Sequence, residues 1–108
     1  MSNCVELTGT LVDAPQMRRS PAGIPITRAL LEHESQQTEA GRERLIRFRV
    51  GLRAAGSPLA EALEREVAGV NLSVSGCLLR ARQRNTDSDP IIVSVSRIER
   101  LAETTLED

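Results

Sequence analysis

The chain has 108 residues, of which 40% are apolar and 27% are charged, and its formal net charge is −1. This length accommodates one domain with one modest core, and the near-neutral balance excludes a general polycation. Phe48 is the only phenylalanine, tyrosine or tryptophan, so the predicted core is almost entirely aliphatic. The two cysteines and the single histidine lack the spacing of a zinc site, so we expect no metal and no cofactor.

The sequence also indicates where the protein works. No signal-peptide pattern follows Met1, and no apolar run approaches the roughly 20 residues that span a bilayer. We therefore expect a cytoplasmic protein that makes no membrane contact. Cys4 and Cys77 are expected to fill small apolar sites rather than to react.

The first part of the chain predicts two strands joined by a rigid loop. The first strand spans about residues 3–12, where Gly9 marks a bulge or a bend. A loop over 16–25 follows, and its proline and glycine residues predict a tight reversal. Pro25 favours an extended conformation before it, so the second strand is predicted over about 26–36.

A third strand shows the cleanest alternation in the chain. A turn is predicted over 38–41, and the strand follows over 42–50. Phe48 is expected on the face that packs against the core. Arg47 and Arg49 are expected on the opposite, solvated face.

A short helix and two further strands complete the pattern. The helix is predicted after Gly51, with Ser57 as its N-cap and Val67 on its apolar face. The last two strands are predicted over 71–82 and 91–101.

Three strands, a short helix and two strands are the element order of an OB-fold. We therefore predict an all-β protein, a five-stranded Greek-key barrel with one short helix between strands three and four. The pattern alone leaves other five-stranded barrels and α+β sheets open. The domain is predicted to span residues 1–101, followed by an acidic C-terminal tail over 102–108.

The sequence contains no constellation that predicts catalysis. His33 lies in a predicted strand without a nearby nucleophile, so we expect a structural role for it. Glu32 and Glu34 share one face, which fits an exposed polar surface better than a pair of general acid and base. We therefore expect a protein that is not an enzyme.

Two arginine clusters, within 42–53 and 80–84, are the strongest functional signal. In an OB-fold these regions face the same groove, where arginines contact the phosphates of a single strand. The alternative, that arginines on a solvated strand only prevent aggregation, stays open. The predicted contacts from this pattern are Arg47, Arg49, Arg80, Arg82 and Arg84.

Five short segments match a known family. They are Leu7–Thr10 (LTGT), Ser20–Pro25 (SPAGIP), Leu31–Ser35 (LEHES), Glu39–Gly41 (EAG) and Val74–Gly76 (VSG). Together they resemble the family of primosomal replication protein N, small primosome accessory proteins related to single-stranded-DNA-binding proteins.

The resemblance implies an OB-fold homodimer that binds single-stranded DNA in the replication-restart primosome. It also implies that the protein stabilises the restart helicase on DNA and helps to recruit the next primosome loading protein. The positions that match basic DNA-binding residues of the family are Arg18, Arg44, Arg82 and Arg84.

The chain differs from the family at several of these positions. The family typically has a base-stacking tryptophan at the position of Arg47 and a basic residue at that of Glu34. Asp87 and Asp89 make the following loop acidic. These differences imply weaker or differently placed DNA binding. They keep open an alternative in which the protein is a protein–protein adaptor of the primosome with weak DNA affinity.

Overall fold

The structure is a computed structural model that describes residues 1–81 and 90–102. These residues form six strands and one short helix. The elements are β1 (Val5–Leu11), β2 (Gln16–Arg19), β3 (Pro25–Glu39), β4 (Arg42–Ala55), α1 (Leu59–Glu64), β5 (Asn71–Arg80) and β6 (Ile91–Arg100).

Five of the strands close into a barrel in the order β1, β3, β4, β6, β5 and back to β1. Neighbouring strands are antiparallel except β4 and β6, which run parallel. β2 lies outside this ring and pairs with β3. The arrangement confirms the predicted OB-fold, a five-stranded barrel whose one short helix lies between the third and fourth strands of the barrel.

The core is aliphatic, as composition predicts. Leu31, Leu52, Leu72 and Val93, from four different strands, each expose 2% or less of their surface. Branched and aliphatic side chains fill a small barrel without polar atoms that would need partners.

Helix α1 packs against one side of this core. Leu63 is fully buried in the same cluster as the barrel residues. The hydroxyl of Thr27 on β3 donates a buried hydrogen bond of 2.6 Å to the carbonyl of Ala60. This bond helps to fix the helix on the barrel, because the buried hydroxyl of Thr27 would be costly to leave unpaired.

The predicted limits of the helix are wrong at both ends. Pro58, not Ser57, is the N-cap, and the hydroxyl of Ser57 donates instead to Glu61 at 2.7 Å. The N–H of Glu66 bonds to the carbonyl three residues earlier, which tightens the last turn and redirects the chain. Val67 therefore leaves the helix and is 56% exposed.

Two predicted strand limits are also corrected. The segment 16–25, predicted as a loop, contains β2, because residues 16–19 pair with residues 25–28 of β3. The third predicted strand does not end at Val50 but continues to Ala55. In this extension, residues 51–53 pair with β3 on one side and with β6 on the other.

The tight reversal predicted before the second strand is present. The N–H of Gly23 donates to the carbonyl of Ser20 at 2.8 Å, and Gly23 has a φ of 83°. The side chain of Arg19 also donates to the carbonyl of Gly23 at 3.1 Å. This turn places β2 along β3.

Strands β3 and β4 form a hairpin that is longer than the barrel. Its turn has two residues in the left-handed region, Ala40 (φ 51°) and Gly41 (φ 76°), which suits the twist of a hairpin. The expectation that Phe48 packs in the core is wrong, because the hairpin has left the barrel at that point. The ring is 40% exposed and contacts His33, with ring centroids 5.0 Å apart.

Gly9 does not form a bulge, one of the two predicted alternatives. It pairs regularly with Leu72, and a Cβ at this position would lie 2.5 Å from the carbonyl oxygen of Glu32. Glycine is therefore required where β1 crosses between β5 and β3 to close the barrel. The register shift lies instead at Ser75 and Gly76 on β5.

The described residues bear on three further expectations. Within residues 1–81 and 90–102, no helix is long and apolar enough to cross a membrane. The same ranges hold no group of three His, Cys, Asp or Glu residues placed to bind a metal ion. Cys4 is exposed, so the expectation of an apolar site is wrong for it, and Cys77 is half-buried.

Candidate nucleic-acid interface

The outer surface of β2, β3 and β4 carries five arginines. Thr27 and Leu31 of β3 point into the core, so the even-numbered residues of β3 point outward, together with their partners on β2 and β4. Arg18 lies opposite the outward-facing Ile26. We call this surface the arginine face; its arginines are Arg18, Arg28, Arg47, Arg49 and Arg53.

One half of the arginine face is partly neutralised by Glu32. Its Oε1 lies 3.5 Å from Nε of Arg47 and 3.4 Å from Nε of Arg49. The side chain of Glu32 is 28% exposed, and those of the arginines are 62% and 56% exposed. Glu34 lies directly opposite Arg47 in the strand pairing. The formal charges of these four residues sum to zero.

The other half of the arginine face has Arg28 directly opposite Arg53. Neither residue is among the predicted contacts. For Arg53 the reason is that the third strand was predicted to end at Val50, so the alternation that places Arg53 on the same face as Arg49 was not extended far enough. Continuing the period of two from Arg49 through Gly51 would have found Arg53.

An apolar row separates the two halves. The strand pairings align Leu30, Gly51, Ile92 and Leu79 across four neighbouring strands. A Cβ on Gly51 would lie 3.0 Å from Cγ2 of Ile92, so the isoleucine side chain lies over the glycine. A shallow groove runs along this row between the arginines.

The groove extends to the adjacent ends of β5 and β6. Ala81 and Pro90, which flank residues 82–89, line it together with Arg28 and Arg49. Arg82 and Arg84, as well as Asp87 and Asp89, lie outside the described residues.

Two predicted contacts are not part of the arginine face. Arg44 lies opposite Gln37 on the other face of the hairpin, with Nε 3.3 Å from Oε2 of Glu39. Arg80 is the last residue of β5 and lies opposite Ile91. Because side chains alternate along a strand, Arg80 points to the same side of β5 as Leu78 and away from the outward side on which Leu79 lies.

His33 makes structural contacts, as expected. Its Nδ1 lies 2.7 Å from the carbonyl oxygen of Thr8, and its Nε2 lies 2.8 Å from the hydroxyl oxygen of Ser35. Because a carbonyl only accepts, Nδ1 carries the proton and donates to Thr8. The ring thus links β3 to β1.

The electrostatics outside the arginine face centre on Glu61. The hydrogen bond from Ser57 is the main reason that the pKa of Glu61 lies below its ordinary value. A backbone hydrogen bond within Glu61 also lowers the pKa, burial opposes the shift, and the charges of Arg19 and Arg65 add smaller lowering effects. This carboxylate belongs to the start of α1, not to the groove.

A closed five-stranded barrel with an external basic groove defines an OB-fold protein of the kind that presents one sheet face to a ligand. Residues 3–93 match a family model described as another single-strand binding protein family. The chain belongs to this single-strand binding protein family and, within it, groups with the replication restart protein PriB.

Relatives and solved structures agree with this assignment. The chain is 34% identical to replication restart protein PriB of Erwinia tasmaniensis over 84 residues, which cover 78% of this chain and 80% of the relative. It is 33% identical to that of Bordetella pertussis over 100 residues, which cover 93% and 90%. These matches confirm the resemblance to primosome proteins.

The structure of the protein priB from Ralstonia solanacearum superposes with a TM-score of 0.77 and 32% identity, covering 94% of this chain and all of that one. The Plasmodium falciparum SSB, solved in complex with single-stranded DNA, superposes with a TM-score of 0.79 at 12% identity, covering 94% and 97%. At that identity the second match concerns the fold alone.

Proposed function

We propose that this protein binds single-stranded DNA through the arginine face and acts, without enzymatic activity, in replication restart in the cytoplasm. The observation that carries the proposal is the placement of five arginines on one outer face of an OB barrel. Membership of a single-strand binding family whose relatives are named replication restart proteins supports it.

The chemistry of the face suits an extended polyanion. Guanidinium groups bind phosphate oxygens through paired N–H donors, and each contact releases a condensed counterion. The arginine face contains no aromatic side chain, because Phe48 lies on the opposite face of β4. Bases would therefore contact the apolar row and the planes of the guanidinium groups.

A salt titration tests this proposal. Fluorescence anisotropy of a labelled oligothymidylate should show tight binding at low salt and a steep linear loss of affinity with the logarithm of salt concentration. Arg82→Ala with Arg84→Ala should reduce the slope by about 1.4, about 0.7 for each lost contact on a single strand, if both residues contact phosphate. Arg65→Ala with Arg97→Ala, on other surfaces, is the matched control. Absence of binding at low salt would exclude the proposal.

The primosome adaptor remains a second candidate function. The neutralisation of Arg47 and Arg49 by Glu32 favours it, because it lowers the positive charge available to DNA. A pull-down of the restart helicase and of the primosome loading protein distinguishes the two. Capture of either partner with negligible oligonucleotide binding supports the adaptor, and DNA binding without capture excludes it.

We also propose that the protein is a homodimer that uses the edge of β1. Among the described residues, β1 pairs with β3 only at Thr10 and Leu11, so its earlier part has a strand neighbour on one side only. The carbonyl of Thr8 faces the open side, where it accepts from His33. Thr8→Pro removes the N–H on that side and should convert a dimer into a monomer by light scattering. A wild-type mass equal to one chain would exclude the dimer.

The binding domain is proposed to span residues 1–101, with an acidic tail over 102–108. The N–H of Leu101 still donates to the carbonyl of Asn71 at 2.9 Å, which supports this boundary. A chain truncated after Leu101 should keep the thermal midpoint of the full chain.

A further inference from the structure

We propose that Arg28 and Arg53 form a phosphate-binding pair, and that this pair, rather than Arg47 and Arg49, is the strongest anion site on the arginine face. The inference rests on the proposed function and assigns the place where the phosphodiester backbone of single-stranded DNA is held. Its ligand is thus a pair of phosphates on one strand.

The pairing of β3 and β4 places two like charges side by side. Arg28 and Arg53 are direct cross-strand partners, and residues in such a position have Cβ atoms about 4.5–5.5 Å apart. Arg53 is half-buried, so solvent screens it less than it screens a fully exposed arginine. Like charges in this position destabilise a sheet unless an anion lies between them.

No acidic residue in the described part of the chain, 1–81 and 90–102, forms an ion pair with Arg28 or Arg53. The neighbours of the pair along the same row are Gln16 on β2 and Ser94 on β6, which are polar but uncharged. Arg18 lies one row further along the same face and adds a third positive charge. Three arginines thus face a site without a carboxylate among the described residues.

The other half of the face differs in this respect. Glu32 contacts both Arg47 and Arg49, so a phosphate that binds there must displace a carboxylate that is already in place. At the Arg28–Arg53 pair, a phosphate replaces only water and diffuse counterions. The gain in binding free energy per phosphate is therefore larger at the uncompensated pair.

The surroundings of the pair favour a nucleic-acid strand over a small anion. Arg28 and Arg49 lie on opposite sides of the groove, with Leu30 and Ile92 between them, so positive charge alternates with apolar surface across it. A chain of phosphates with unpaired bases has this alternation, because each base offers an apolar face beside its phosphate. A free phosphate ion would use the arginines and leave the apolar row uncovered.

The test compares two double variants that remove the same charge. Arg28→Gln with Arg53→Gln removes the pair, whereas Arg65→Gln with Arg97→Gln removes two arginines from other surfaces. For a labelled oligothymidylate, the first variant should lower the slope of affinity against salt by about 1.4, about 0.7 for each lost phosphate contact on a single strand. The second should leave the slope unchanged. Arg28→Lys with Arg53→Lys should restore most of the slope, since it restores the charge.

A second measurement separates binding from folding. Removal of a like-charge pair should leave the thermal midpoint of the free protein equal to or above that of the wild type, while affinity falls. If the double variant does not fold, the single variants Arg28→Gln and Arg53→Gln replace it. Each should then lower the slope of affinity against salt by about 0.7. A fall in midpoint with an unchanged slope would overturn the inference.

The possible failures are distinguishable. Wild-type binding with the same slope in the Arg28/Arg53 variant would overturn this inference and leave the proposed function standing. No binding by the wild type at low salt would overturn both. A slope change seen only in Arg47→Gln with Arg49→Gln would mean that the main phosphate site lies in the Glu32 half of the face. That result would overturn this inference but not the proposed function.

Discussion

The carboxylate of Glu32 accepts a hydrogen bond of 3.4 Å from Nε of Arg49, its direct cross-strand partner. Because Nε of Arg47 is 3.5 Å from the same oxygen, one acid serves two arginines. The arginine face therefore contains a half with its own counter-ion and a half without one among the described residues. This difference governs where we expect an anionic strand to bind.

Glu32→Gln should strengthen DNA binding. The substitution keeps the shape of the side chain but releases Arg47 and Arg49 from their shared carboxylate. We expect several-fold higher affinity at 50 mM salt and a slope steeper by about 0.7 to 1.4, as one or two arginines become available to phosphate. Anisotropy titrations measure both. Glu99→Gln on β6 is the control of equal charge, and equal gains in both variants would contradict the role assigned to Glu32.

Thr27→Val should destabilise the barrel without changing its shape. The hydroxyl of Thr27 makes a buried hydrogen bond of 2.6 Å to the carbonyl of Ala60, and the substitution removes that bond between β3 and α1. We expect a loss of about 0.5–1.5 kcal/mol in the free energy of unfolding, measured by urea denaturation. Thr38→Val, at an exposed position on the same strand, should change it by less than about 0.5 kcal/mol. Equal effects would mean that the bond to α1 contributes nothing specific.

Gly9→Ala should destabilise the closure of the barrel. The added Cβ would lie 2.5 Å from the carbonyl oxygen of Glu32 and 2.9 Å from Cγ of Leu31, so the backbone of β1 or β3 must move. Overpacking of this kind costs about 1–3 kcal/mol. Thermal denaturation of Gly9→Ala beside Thr8→Ala, an exposed neighbour, measures the difference. A midpoint at or above that of the wild type would contradict the close contact.

Ser57→Ala should change how stability depends on pH. The hydrogen bond from Ser57 lowers the pKa of Glu61, so the folded state favours the ionised carboxylate. A lowered pKa contributes stability that is present above the unfolded-state pKa and is lost as the pH falls through the folded-state pKa. The difference between wild type and variant should therefore be largest at neutral pH and should shrink at acidic pH. Urea denaturation at a series of pH values measures it, and a difference independent of pH would contradict the assignment.

The order of strands and helix along the chain was predictable because it depends on local sequence patterns. Alternating apolar residues in 42–50 and the turns around Gly23 and Gly41 mark strands that pair with their neighbours in sequence. The extension of β4 to Ala55 was missed because Gly51 was taken as the end of the strand; residues 51–55 pair with β3, and residues 51–53 also pair with β6. Likewise β2 exists because residues 16–19 pair with β3, a contact that composition does not reveal.

The candidate site was predictable in part. Alternation placed Arg47 and Arg49 on a solvated face, and the structure agrees. Their neutralisation by Glu32 was not predictable, because it depends on the register between β3 and β4. Phe48 was assigned to the core because alternation gives the face of a strand but not the point at which a hairpin leaves its barrel.

Amide chemical-shift mapping of the labelled protein with an oligothymidylate tests most directly whether single-stranded DNA binds to the arginine face. We expect perturbations to concentrate on the arginine face, with the largest at Arg28 and Arg53, and we expect the outer surface of β1 and β5 around Glu6 and Ser73 to stay unperturbed. Perturbations centred on Glu6 and Ser73, or none at low salt, would contradict this expectation.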